Sequence, residues 1–327
     1  MARLIAAFIV AIVIGLATHP AAAQQPGNIP RIGYLDANPI SDGMARSEAF
    51  RRGLRELGYV EGKNIIIVWR SAEGKRDRLP DLAAELVRLG VDIIVTAGAS
   101  TTRAAKKATS EIPIVIAQHS DPVGAGFVAS LARPGGNITG LSTLAPEISS
   151  KQIQLLKDIN PKLSRVSVIG TSTRPGNAQA LGEIERAAEA LGVEIKFHDV
   201  LNAKDVVPAF AAARRTRAEA ILVLAGRIMI RQRTQIVDLV AESRLLAIYA
   251  FPVYVEAGGL MSYGVRRSDL FRRAATYVDK ILRGANPGEL PVQQPTKFEL
   301  VINLRTAKAL GITFQPSILL RADVVIE

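Results

Sequence analysis

The side chains with most to offer a small molecule fall at the ends of short β-branched runs. Asp36, Asn38 and Ser41 follow the run at 31–36, and Gly98, Ser100 and Thr101 follow the run at 92–96. His119, Ser120 and Asp121 come after the run at 112–117, and Thr171, Ser172 and Thr173 after that at 165–170. Gly226 and Arg227 follow 220–224, and Phe251 follows 246–249. In open α/β sheets, ligands bind beyond the carboxyl ends of the strands. By that rule the candidate ligand-binding residues are Asp36, Asn38, Gly98, Ser100, Thr101, Ser120, Asp121, Thr171, Ser172, Arg227 and Phe251.

The loop at 98–102 carries the most explicit chemistry. Gly98 lets backbone come close to a ligand, and Ser100 or Thr101 is placed to cap the next helix. The free N–H groups of a helix's first turn favour a carboxylate or phosphate. An ordinary cap with no ligand fits the same residues. Asp121 offers an acceptor to a ligand ammonium; it equally suits the opening of a segment that starts at Pro122, because Asp before Pro commonly begins a helix. Tyr249, Phe251 and Tyr254 cluster near one strand end, where an aromatic can sandwich a ring or an aliphatic chain. Phe251 is expected on the ligand side and Tyr249 in the core.

Other chemistries find little support. His119, Ser120 and Asp121 are adjacent, and neighbouring side chains on an extended segment point apart, so they form no proton relay. The three histidines, His19, His119 and His198, lie far apart, and there is no cysteine; no metal spacing results. Gly124-x-Gly126-x-x-Ala129 is a weak match to a dinucleotide fingerprint, and it does not directly follow its strand. No nucleophile–base pair and no cofactor loop is found. The expectation is therefore no enzyme, no metal and no cofactor.

These residues must be held by a chain of 327 residues that begins with a leader. Arg3, an apolar run at 4–17 and the triplet Ala21, Ala22 and Ala23 predict a secretory signal peptide over 1–23, cleaved near Ala23. No other apolar run approaches the roughly 20 residues of a membrane span. Without cysteine the exported chain has neither disulfides nor a site for a lipid anchor, which predicts a free periplasmic protein. The formal net charge is +11. Its basic pairs, such as Arg51-Arg52 and Arg266-Arg267, read as solvated helix faces. Few aromatics interleave with them, so nucleic acid is not an expected partner.

The pattern alternates buried-type strands with amphipathic helices. Strands are predicted at 31–36, 64–69, 92–96, 112–117 and 138–142, with helices at 48–57, 79–89, 101–108 and 126–131. A turn cluster at 133–137 breaks the rhythm, and a crossover is expected near 144–146. The rhythm then restarts. Strands are predicted at 165–170, 193–199, 220–224, 246–249 and 260–263, alternating with helices from 147–159 onward. A striped helix is predicted at 269–283 and a further α/β tail at 298–326. Two such runs predict two doubly wound α/β domains.

Three segments resemble one family: 120–142 (SDPVGAGFVASLARPGGNITGLS), 247–264 (AIYAFPVYVEAGGLMSYG) and 269–313. They are similar to the ABC-transporter substrate-binding proteins related to the tryptophan- and tyrosine-binding group. The resemblance implies a type I periplasmic-binding fold: two Rossmann-like lobes joined by three crossovers, with the ligand in the cleft. On that pattern lobe 1 is 29–143 plus 266–285, and lobe 2 is 144–265 plus 286–327. It further implies a small carboxylate-bearing ligand such as an aromatic or other amino acid, hinge closure, an ABC permease as partner and a monomeric state. One departure stands out. The family commonly has Pro-Asp after the strand ending at Leu224, where this chain has Ala225-Gly226-Arg227. Arg227 is thereby expected to suit a second carboxylate or another anion. A ligand-delivering partner of a sensor is the alternative role on the same fold.

Overall fold

Strands rich in Ile and Val on both faces need cover on both faces, and the fold supplies it twice. The structure is a computed structural model and describes residues 29–39, 43–143 and 146–327. The signal peptide, Ser41 and the predicted first crossover at 144–145 lie outside the described residues.

The first sheet holds β1 (Arg31–Asp36), β2 (Ile66–Ser71), β3 (Ile93–Ala97), β4 (Ile114–His119) and β5 (Ile138–Ser142), in the order β2-β1-β3-β4-β5. All its pairings are parallel. Helices α1 (Met44–Glu56), α2 (Leu79–Arg88) and α3 (Ala99–Ala108) make the crossovers. Strand β3 shows how alternation sorts the core. Ile93 and Val95 pack with Phe50 and Leu54 of α1, while Ile94 packs with Leu82 and Leu86 of α2.

The second sheet follows α4 (Pro146–Ile159). It holds β6 (Arg165–Gly170), α5 (Pro175–Ala190), β7 (Glu194–Asp199), α6 (Val206–Arg215), β8 (Ala220–Val223), α7 (Arg227–Arg231), α8 (Arg233–Ser243), β9 (Leu246–Tyr249), α9 (Val253–Glu256) and β10 (Met261–Val265). After α10 (Arg267–Leu282) come β11 (Phe298–Asn303), α11 (Leu304–Leu310), α12 (Pro316–Leu319) and β12 (Val324–Ile326). The strand order is β12-β11-β10-β9-β8-β6-β7. Only the β10–β11 pairing is antiparallel. This is the two-lobed periplasmic-binding-protein architecture.

Helix α10 leaves the end of β10 in the second sheet and packs on the first. Leu270, Phe271, Ala274 and Val278 join the core of α1, β1 and β3. A Cβ on Gly53 of α1 would stand 2.2 Å from the Arg272 carbonyl oxygen, so these two helices meet backbone to backbone and only glycine fits. The segment after α10 stays with the first sheet longer than the sequence pattern suggests. Val292 is buried in that sheet's core, and the Ser142 amide donates to the Gln293 carbonyl at 2.9 Å. The expected short helix at 126–131 is absent. Gly126 has φ +68°, in the left-handed region, and the run resolves into turns.

Candidate functional site

A concave gap opens where the carboxyl ends of the two sheets approach each other. The first sheet's loops contribute Ser120 and Thr143. Helix α4 adds Ile148, Ser149 and Gln152, and the start of α5 adds Arg174, Gly176 and Asn177. Leu224 and Ala225 follow β8, Ala250 and Phe251 follow β9, and Gly264 and Val265 close β10. This is the position at which doubly wound sheets bind ligands. The two halves touch here, because a Cβ on Gly176 would lie 3.2 Å from that of Ser120.

One arginine, Arg174, lines the gap, and two more, Arg267 and Arg46, stand behind its wall. Arg267, the first residue of α10, donates from Nε to Gln118 Oε1 at 2.7 Å, and its guanidinium lies 5.4 Å from the centre of the Phe251 ring. Arg46 of α1 approaches Asp36 at 3.8 Å and lies over Phe271. The Arg174 guanidinium has no hydrogen bond or ion pair among the described residues. Burial pushes Arg267 down to about 10, and the charges of Arg46 and Arg174 push the same way. Arg174 is lowered by burial too. Both guanidiniums remain charged at neutral pH, and both residues are partly exposed.

Among the described residues, the nearby acids are largely engaged elsewhere. Asp36 accepts from the Asn38 amide at 3.0 Å besides facing Arg46. Asp121 accepts from the Gly124 amide at 2.8 Å, the local turn role that its sequence position allowed. Glu183 lines the gap and pairs with the exposed Arg186 at 2.5 Å. His119 is buried edge-on against Phe127, 5.1 Å between centres, and burial pushes its imidazole down to about 4. Its Nδ1 accepts from the Asp121 amide at 3.0 Å, which requires the neutral ring.

The candidates read from sequence divide. Ser120 and Phe251 line the gap. Tyr249 is fully buried, as expected, and stacks on an equally buried Tyr254 with ring centres 4.8 Å apart. Asp36 and Asn38 stand one layer back, with Arg46. Thr101 is fully buried, its hydroxyl donating to the carbonyls of Ala97 and Gly98. It ties the strand end to the helix start and faces no ligand. Neither Ser100 nor Thr101 caps the helix; Gly98 does, with φ +87°, and no side chain accepts there. Gly98 and Ser100 lie off the lining. The Thr171 hydroxyl donates to the Val200 carbonyl at 2.9 Å, and its own carbonyl accepts from Asn177 Nδ2 at 3.0 Å, so it props a lining residue. Ser172 is exposed and bonded to Asp199. Arg227 is exposed at the start of α7 and does not line the gap. The basic groups nearest it are Arg174, in the lining, and Arg267, against the Phe251 ring, which sequence reasoning missed. Arg174 stands one residue past the Thr171–Thr173 loop, and Arg267 was read as part of a solvated face.

A nucleophile–base contact does exist, away from the gap. Ser167 Oγ lies 2.9 Å from His198 Nε2. Ser167 is fully buried inside the second sheet, so this pair is a satisfied core contact without substrate access. Among the described residues, no group of three or more His, Cys, Asp or Glu side chains is arranged to hold a metal ion.

The sequence matches the profile of ABC transporter substrate binding proteins over residues 41–326. The chain belongs to that family. A tyrosine-binding protein from Clostridioides difficile is 25% identical over 263 residues, which is 80% of this chain and 75% of that protein. The crystal structure of an ABC domain in complex with L-Trp from Streptococcus pneumonia superposes with TM-score 0.80 at 26% identity, covering 91% of this chain and all of that one. A conserved domain protein from Vibrio cholerae gives TM-score 0.80 at 28% identity over the same share of both chains. These relatives share the family and the fold described above, and the family is one of solute-binding proteins.

Proposed function

We propose that this protein is the exported solute-binding component of an ABC importer, taking a small carboxylate-bearing ligand of amino-acid size. The observation that carries the reading is the gap itself. Loops from both sheets line it, Arg174 is part of that lining, and Phe251, backed by Arg267, gives it an aromatic wall. Binding proceeds by hinge closure about the chain segments joining the lobes at 143–148, 265–267 and 294–298. Lobe 1 is then 29–143 with 267–293, and lobe 2 the remainder of the exported chain. Closing buries the ligand and presents one surface built from both lobes to a permease; no bond is made or broken. The leader read at 1–23 and the family support action outside the cytoplasm, and a monomeric state belongs to the same proposal. The test is thermal unfolding of the purified protein against a panel of amino acids and small carboxylates. Binding to the native state alone raises Tm by mass action, by about 2.7 kcal/mol of stability at a hundredfold excess over Kd. A panel that leaves Tm unmoved refutes the reading.

A further inference from the structure

We infer that the ligand carries more acidic groups than ammonium groups, so that it enters as a net anion held between Arg174 and Arg267. The inference rests on the solute-binding reading above and narrows it to a charge class.

The argument is one of charge balance in a confined place. Arg174 brings a positive charge to the lining, Arg267 stands beside it against the Phe251 wall and Arg46 lies one layer back, and the other two weigh on Arg267. Asp36 answers Arg46 at 3.8 Å, takes an amide hydrogen bond besides, and offsets part of the like charge felt by Arg267 from a distance. Asp121 is held by its own turn, and Glu183 is paired with Arg186. His119 stays neutral at physiological pH. Arg267 has a neutral amide oxygen and an aromatic face but no carboxylate, and Arg174 has neither hydrogen bond nor ion pair among the described residues. Unpaired buried charge is among the costliest features a fold can carry. Two such guanidiniums at the mouth of a ligand gap are best explained by an anion that completes them. A zwitterion brings one carboxylate and one ammonium, so it cancels no net charge, and its ammonium adds repulsion. Arg76 and Arg231 act in the same direction further out. They belong to different lobes and both are exposed; Arg76 is lowered by burial and then by the charge of Arg231, so two like charges from the two lobes stand near each other.

The experiment compares three probes on one skeleton. L-phenylalanine is the zwitterion, 3-phenylpropionate the same body without the ammonium, and phenylsuccinate adds a second carboxylate. Calorimetric titration of the purified protein is expected to rank them phenylsuccinate, phenylpropionate, phenylalanine, each step at least tenfold. Arg174→Gln and Arg267→Gln are each expected to erase the advantage of the dianion. Phenylalanine binding as tightly as phenylsuccinate overturns the inference while leaving the solute-binding reading intact. A second measurement decides the case even if none of the three binds. In ligand-free protein, Arg174→Gln removes an uncompensated charge and is expected to raise Tm by a few degrees, more at low salt than at high. A fall in Tm shows that the guanidinium already has its counter-charge, and the inference fails. Silence from all three probes and from the wider amino-acid panel rejects the solute-binding reading instead.

Discussion

Lowering the pH should destabilise this protein through His119. The residue is 5% exposed, and its imidazole is held at about 4 against an ordinary 6.5, chiefly by burial and secondly by the charges of Arg174 and Arg103. The nearby Asp121 carboxylate works the other way without cancelling them. A depressed histidine favours the native state above the unfolded value, and that advantage is lost as pH falls, because the unfolded chain takes up the proton first. The loss begins near 6.5, deepens down to about 4 and then levels. At 1.36 kcal/mol for each unit, the ceiling is about 3.4 kcal/mol. At about pH 5, where unfolded histidine is nearly all protonated and His119 nearly all neutral, it is about 2 kcal/mol. Urea midpoints measured at about pH 8 and about pH 5 read this directly. The control is His119→Gln, which keeps a polar acceptor near the Asp121 amide and cannot titrate. His198, also lowered by burial, contributes to both proteins and drops out of the difference. A variant with the same pH slope as the parent refutes the assignment. So does a parent that grows more stable as pH falls.

Three further outcomes follow from contacts described above. Gly176→Leu fills the space against Ser120, where even a Cβ would be at 3.2 Å; it should leave Tm nearly unchanged and weaken ligand binding about tenfold or more, read by titration, because the lobes can no longer close fully. Phe251→Ala removes the aromatic wall and the ring under Arg267; cation–π and packing losses of about 1–2 kcal/mol predict roughly a tenfold higher Kd for aromatic ligands. The Tyr254 hydroxyl is buried without a hydrogen-bond partner among the described residues, so Tyr254→Phe should be neutral or raise the urea midpoint, since it removes a desolvated polar group without opening a cavity. A loss above about 1 kcal/mol would show that the hydroxyl is satisfied.

The sheets were legible because their strands are buried on both faces. Runs such as IIVTA and AILV have no polar side to obscure them, and most predicted strand ends fall within two residues of those observed. Backbone geometry was less legible. The turn that replaces the helix at 126–131 depends on a left-handed Gly126 and on Asp121 bonding forward to Gly124, and neither leaves a periodic trace. At the site, the loops were found and the charged groups within them were not. Whether Arg267 faces solvent or the gap depends on α10 crossing to the other sheet, a tertiary choice that helical spacing does not encode. Arg174 was missed for a narrower reason, since the rule that picks residues just past a strand gives no fixed reach along the loop. Thr101 shows the converse: its type suited a ligand, but the strand end took its hydroxyl first.

The embrace of α1 by α10 also dictates an order of events. The Tyr59 hydroxyl donates to Asp279 across 220 residues of sequence, and the face of the first sheet that α10 covers stays bare until that helix arrives. An amino-terminal fragment ending at Ser142 would leave Val115 and Ala117 of β4 and Leu141 of β5 without the cover that α10 gives them. The first lobe therefore cannot be completed until most of the second has been made. Nearly the entire polypeptide must be present before both walls of the gap are complete, and closing so long a loop makes late, slow assembly an intrinsic property of this chain.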